Sequence, residues 1–103
     1  MPVAPCALYG THRMKSPRNV AVRDENGNII NKEFTLVSLY TCGCGDRFLS
    51  SGTPHTGDYI RYYATEGAIT KVVNSPLGQH YYVKKNLVYL RDKNTLEGYS
   101  FSL

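Results

Sequence analysis

The stretch from Glu33 to Thr41, Glu-Phe-Thr-Leu-Val-Ser-Leu-Tyr-Thr, decides the fold of this chain. Successive side chains of a strand point to opposite faces. One face of this strand carries Phe34, Leu36 and Tyr40, and the other carries Val37 and Leu39. Because both faces are mostly apolar, we expect the strand to lie centrally in a sheet, covered on both sides.

Short strand patterns separated by turn residues fill the rest of the chain. Nine Tyr and three Phe favour strands, and no long window keeps the apolar spacing of a helix. Asn26-Gly27 predicts a tight hairpin turn between residues 19–23 and 29–30, Glu66-Gly67 predicts a second hairpin, and Ser75 to Gly78 predicts a turn. Turns at a spacing of roughly 8 to 12 residues predict an all-β fold, a small barrel or sandwich of antiparallel strands.

The 103 residues fit one domain, because two halves would each be near the lower limit of a self-sufficient core. Hydrophobic residues are 42% and charged residues 19%, as in packed globular domains. Pro2, Pro5 and Pro17 predict an irregular basic segment at 1–18, followed by a β domain at 19–103. The sequence has neither an apolar run of membrane-spanning length nor a secretory leader, so we expect a cytoplasmic protein without a membrane segment.

The net charge of +4 lies entirely in residues 1–23, which contain Arg13, Lys15, Arg18 and Arg23 and no acidic residue. Clustered cations attract phosphates, so these residues are candidates for nucleic-acid binding. The alternative is an ordinary solvated basic face.

Two tyrosine-rich strands add to this hypothesis. Arg61 would share a face with Tyr59 and Tyr63, and Lys84 would share a face with His80 and Tyr82. On such a face, exposed aromatic rings stack on bases and the cations between them neutralise phosphates. The alternative places the tyrosines in the core with their hydroxyl groups at its rim.

Cys6, Cys42 and Cys44 form an odd set in a chain without a secretion signal, which favours thiols or a metal site over disulfides. With His12 they make a Cys3His set of the kind that holds structural zinc. His55 is the alternative fourth ligand. Unliganded, partly buried thiols are the competing interpretation.

The string Tyr40-Thr41-Cys42-Gly43-Cys44-Gly45-Asp46-Arg47-Phe48 resembles the second knuckle of zinc-ribbon proteins, which commonly run Y-x-C-x2-C-G-x2-F. The spacing between the cysteines is one residue shorter here. The resemblance covers nine residues and implies a zinc ion held by Cys42 and Cys44.

The sequence therefore predicts a non-enzymatic binding or adaptor module with a structural zinc site and nucleic acid as the leading partner. A structural or assembly protein that contacts other proteins through edge strands and tyrosine-rich patches is the alternative. A thiol-dependent enzyme using Cys42 or Cys44 with His55 and Asp58 comes third.

Overall fold

Strands dominate the computed structural model, which describes residues 10–57, 60–93 and 98–102. Within these ranges there are eight strands and three 3-10 helices of three residues each. The predicted all-β class is confirmed. No helix in the described ranges has the length and apolar character needed to cross a membrane. The strands are β1 His12–Asp24, β2 Leu36–Thr41, β3 Arg47–Ser50, β4 Ile60–Thr65, β5 Ile69–Ser75, β6 Gly78–Val83, β7 Tyr89–Lys93 and β8 Tyr99–Phe101.

The strands form one sheet in the order β5-β6-β1-β2-β3-β4-β7, and β8 pairs with β1 beside this path. The sheet is not closed, so β5 and β7 stand at its two ends. Most neighbours are antiparallel, but β1 runs parallel to both β6 and β8. Strand β1 is therefore the element on which the distant parts of the chain meet.

The predicted irregular segment at 1–18 is wrong for residues 12–18, which belong to β1. The register of β1 against β2 shifts between Lys15 and Arg18. Pro17 lies in this irregularity, where its missing N–H is tolerated. Residues 1–9 lie outside the described part of the chain.

The core consists of two clusters on opposite faces of β2 and β3. Leu39 and Leu49 belong to the first core cluster, whereas their neighbours Tyr40 and Phe48 belong to the second. Both faces of the sheet are therefore buried at Leu39 and Tyr40, which confirms the central position predicted for β2. The predicted grouping on one face is wrong for Leu36, which is exposed, and for Phe34, which packs in the first core cluster. The first core cluster comprises Val20, Val22, Phe34, Val37, Leu39, Leu49, Ala64, Ala68, Tyr81 and Val83, and the second comprises Met14, Tyr40, Cys42, Phe48 and Ile60.

The Asn26-Gly27 turn is confirmed, but the strand that returns from it starts later than predicted. Asp24 caps the turn, because its Oδ1 accepts hydrogen bonds from the backbone N–H groups of Asn26 and Asn28 at 2.8 and 2.9 Å. Gly27 has a φ of 86°, which a glycine adopts readily. The returning strand β2 begins only at Leu36, which pairs with Ala21.

The second predicted hairpin, around Glu66-Gly67, is wrong. Strands lie on both sides, but β4 pairs with β3 and β7, while β5 pairs with β6. A 3-10 turn at Glu66–Ala68 separates them and buries Ala68 in the first core cluster. The Ala68 carbonyl accepts a hydrogen bond from the Lys84 N–H, which directs β5 to β6. The predicted turn at Ser75 to Gly78 does join β5 to β6.

Candidate metal centre

Two of the predicted ligands lie in the tight turn between β2 and β3. The Cys42 N–H donates to the Asp46 carbonyl at 2.8 Å, and the Gly45 N–H donates to the Cys42 carbonyl at 2.9 Å. Gly45 has a φ of 101°, so it reverses the chain in a conformation that L side chains rarely adopt. This turn sets the positions of Cys42 and Cys44.

His12 approaches the two cysteines from the first residue of β1. It pairs with Tyr99 of β8, and its ring stacks on the Tyr99 ring with centroids 5.0 Å apart. The backbone N–H of His12 donates a hydrogen bond to the Gly98 carbonyl at 2.8 Å. Because side chains alternate along β1, His12 and Met14 both turn inward while Arg13 remains exposed. The parallel pairing of β1 with β8 thus holds the imidazole over the β2–β3 turn.

The ligand atoms of His12, Cys42 and Cys44 all lie within 4.8 Å of one another. His12 Nδ1 is 3.6 Å from Cys44 Sγ. His12 and Cys42 are only 3% and 2% exposed, and Cys44 is half-buried. Neither cysteine is part of a disulfide. One imidazole and two thiols therefore converge at a largely buried point, an arrangement compatible with a bound metal ion.

The Cys42 sulfur lies in surroundings that favour its thiolate form. Burial works against this by raising the pKa of the thiol. Hydrogen bonds from the Cys44 backbone, the His12 and Cys44 side chains and the Arg13 backbone outweigh burial and lower the pKa to about 6. The thiolate is the form that binds metals, so this environment is compatible with a metal bound at Cys42.

Asp46 contacts the far side of the imidazole, a role that the sequence did not predict. Its Oδ2 lies 3.6 Å from His12 Nε2, the nitrogen that faces away from Cys44. A carboxylate behind a metal-binding histidine fixes the orientation of the ring. The one available sequence signal was the position of Asp46 at the end of the cysteine turn.

The structure describes only some of the other predicted site residues. Cys6 and Asp58 lie outside the described residues. His55, the alternative fourth ligand and the predicted partner of a catalytic thiol, is not a member of the His12, Cys42 and Cys44 group. Its Nδ1 instead lies 2.7 Å from the hydroxyl oxygen of the buried Tyr40.

The predicted basic residues are spread over several strands. Arg13 and Lys15 are exposed on the first half of β1, and Arg18 is exposed and donates to Gln79 Oε1 at 2.5 Å. Arg61 is exposed on β4.

Arg23 is half-buried in the second half of β1, and Lys84 is exposed just after β6. The predicted face around Arg61 does not form as expected, because Tyr63 packs on Phe48 in the second core cluster. Tyr59 lies outside the described residues. Tyr40 and Tyr81 are buried, as the alternative interpretation of the tyrosines expected.

Comparisons of the chain with known protein families, with curated proteins and with solved structures give no match. The site is therefore interpreted from its own geometry.

Proposed function

We propose that this chain is a non-enzymatic binding module that holds one structural zinc ion and binds nucleic acid. The observation that carries the proposal is the convergence of the ligand atoms of His12, Cys42 and Cys44 within 4.8 Å. Cys6 is the proposed fourth ligand. Four protein ligands make a closed site, which is typical of structural rather than catalytic zinc.

The spacing of the donor atoms supports zinc. Zn–S bonds of about 2.3 Å and Zn–N bonds of about 2.0 Å place a sulfur and a nitrogen of a tetrahedral site about 3.5 Å apart. His12 Nδ1 and Cys44 Sγ are close to this separation, at 3.6 Å. Thiolate and imidazole ligands in a tetrahedral set also favour zinc over the cations that prefer oxygen ligands.

Nucleic acid as the partner is supported by the exposure of the basic residues. Arg13, Lys15, Arg18, Arg61 and Lys84 are all exposed. Cations in such positions neutralise phosphates and release counterions, so affinity falls steeply with salt. Measuring the binding of fluorescent oligonucleotides at several salt concentrations tests this part of the proposal. Concentration-dependent oligomerisation without oligonucleotide binding would favour the assembly protein instead.

One observation favours a second candidate, a thiol-dependent enzyme. Cys44, His12 and Asp46 form a series in which the imidazole contacts the thiol on one side and the carboxylate on the other. This is the order of groups in thiol nucleophilic catalysis. The second thiol in the group, Cys42, favours metal binding, because catalysis needs one nucleophile whereas a structural site needs several ligands. Turnover that is lost on alkylation of Cys44, in protein without metal, would support the enzyme.

Native mass spectrometry with and without a chelator tests the zinc site. We expect a mass increase of one zinc ion per chain, lost together with thermal stability on chelation, because metal binding contributes to the folding free energy. His12→Ala and Cys42→Ser should abolish the increase. His80→Ala is the matched control, since His80 lies on β6 and is not a member of the ligand group. Full metal content in His12→Ala would contradict the site.

A further inference from the structure

The outer face of strands β1, β6 and β5 carries an aromatic side chain between cations. Arg23 of β1 pairs with Tyr82 of β6, and Tyr82 pairs with Lys71 of β5. Paired residues of neighbouring strands project on the same face. The three side chains therefore form one row across three strands, which we call the Tyr82 row.

This row faces away from the core. The residues next to it along the strands, Val22 and Tyr81, belong to the first core cluster, and Val72 packs against that cluster. Because side chains alternate, the Tyr82 row points to the opposite side. Lys71 is exposed, whereas Arg23 and Tyr82 are half-buried.

The row has the geometry of a cation–aromatic surface. Lys71 Nζ lies 5.7 Å from the centroid of the Tyr82 ring, within the range of a cation–π contact. Arg23, which pairs with Tyr82 from β1, stays close to its own strand through a hydrogen bond from Nη1 to the Val22 carbonyl at 2.8 Å. The exposed Lys84 follows His80 and Tyr82 in the same alternation just beyond the end of β6.

A second row lies beside the first and adds surface without negative charge. It runs from Leu36 of β2 through Ala21 and His80 to Val73 of β5. Leu36 is 66% exposed, so its apolar side chain is part of this surface. Neither row contains a carboxylate.

We propose that this face binds single-stranded nucleic acid, with a base stacked on Tyr82 and the flanking phosphates paired with Lys71, Arg23 and Lys84. The inference rests on the proposed function and names its surface and the class of nucleic acid. Sheet faces with an accessible aromatic ring between cations suit unpaired bases, because stacking requires the flat face of a base that a duplex hides. The positive charge of the face complements a phosphate backbone, and its apolar positions can pack against the flat faces of neighbouring bases.

Other aromatic groups of the described chain are less suited to this role. Tyr63 is stacked against Phe48 at a centroid distance of 5.5 Å, and Tyr99 is stacked on His12. Arg47 is bound to Glu66 through Nε and Nη2 at 2.9 and 2.7 Å. Those rings stack on other rings and the Arg47 guanidinium is paired with a carboxylate, whereas the Tyr82 ring lies beside the exposed Lys71.

Fluorescence anisotropy with labelled single-stranded DNA, single-stranded RNA and duplex DNA of one length, titrated with the full chain, tests the proposal. We expect both single strands to bind more tightly than the duplex. The affinities for single-stranded DNA and single-stranded RNA show which of the two nucleic acids the face prefers. Tyr82→Ala should weaken single-strand binding about ten-fold or more, and Tyr82→Phe should retain it because the ring remains. Lys71→Gln should lower the slope of log affinity against log salt by about 0.7, the value for one phosphate contact on a single strand.

Lys32→Gln is the matched control, because it removes one exposed positive charge from the loop between β1 and β2, outside the face. Should Tyr82→Ala fail to fold by circular dichroism, Lys71→Gln at its exposed site decides the question. Single-strand binding that is unchanged in Tyr82→Ala and Lys71→Gln would show that the nucleic acid binds elsewhere on the protein. It would contradict this surface but not the proposed function. Preference for the duplex would also overturn it, and a lack of binding to any of the three probes would remove the nucleic-acid function itself.

Discussion

His12 Nε2 lies 3.6 Å from Asp46 Oδ2, while the other ring nitrogen, Nδ1, faces the Cys44 sulfur. The carboxylate and the thiol therefore contact opposite sides of one imidazole. A carboxylate behind a metal-binding histidine fixes the orientation of the ring, here with Nδ1 toward Cys44. The proposed zinc site requires this orientation, because it directs Nδ1 toward the cysteines.

Asp46→Asn is expected to lower the affinity for zinc about 10- to 100-fold, because loss of the carboxylate behind a ligating histidine weakens metal binding by that amount. Competition with a chromophoric chelator measures the affinity. The exposed Glu33 offers a control in Glu33→Gln, which removes one negative charge away from the site. Equal affinities in the two variants would show that Asp46 does not act on the imidazole.

The fourth ligand is tested by comparing Cys6→Ser with His55→Gln. We expect Cys6→Ser to weaken zinc binding and His55→Gln to leave it unchanged, since His55 Nδ1 is engaged with Tyr40 at 2.7 Å. Cobalt(II) serves as the probe, because its thiolate charge-transfer absorption reports the number of sulfur ligands. An unchanged spectrum in Cys6→Ser would limit the cysteine ligands to Cys42 and Cys44.

Gly45→Ala should destabilise the cysteine turn by about 1 kcal/mol, the order of the penalty for an L side chain in the left-handed region. The added Cβ meets nothing within 4 Å, so backbone strain is the whole effect. Gly67→Ala is a matched control, because Gly67 has equally open surroundings without a positive φ. Urea unfolding of the metal-free protein measures both, and equal midpoints would rule out strain at Gly45.

Glu66→Gln should reduce the free energy of unfolding by about 1 kcal/mol, as expected for a charge-assisted pair that solvent partly screens. Glu66 accepts hydrogen bonds from the N–H, Nε and Nη2 of Arg47, and the two side chains are 32% and 31% exposed. A double-mutant cycle with Arg47→Met isolates the pair. The coupling should shrink at high salt, and a coupling near zero in low salt would contradict this role.

The sequence predicted those parts of the fold that depend on local pattern. The two apolar faces around Leu39 and Tyr40 identified the central strand, and Asn26-Gly27 identified a turn. Local pattern did not determine which strands pair. Glu66-Gly67 has the length of a hairpin connection, yet the buried Ala68 and the bonds of Glu66 to Arg47 direct β5 away from β4.

The site was predicted to a similar extent. Residue type was enough to group His12 with Cys42 and Cys44, because few side chains bind metals through nitrogen or sulfur. Asp46 was missed, since its role depends on which way the His12 ring faces. Of the proposed binding face, the sequence predicted only the alternation that puts Tyr82 on one side of β6 with His80 and Lys84. The other cations of this face, Arg23 and Lys71, join it only through the pairing of β1, β6 and β5.

The pairing of β1 has a consequence for the order of events during synthesis. Its residues 12–14 pair with 99–101, and its residues 21–24 pair with 80–83. A ribosome must therefore translate nearly the whole described chain before the first strand has all its neighbours. Contacts of such high sequence separation slow folding. We therefore expect the apolar side chains of nascent β1 to stay exposed until β6 and β8 have been synthesised, a stage at which chaperones commonly act.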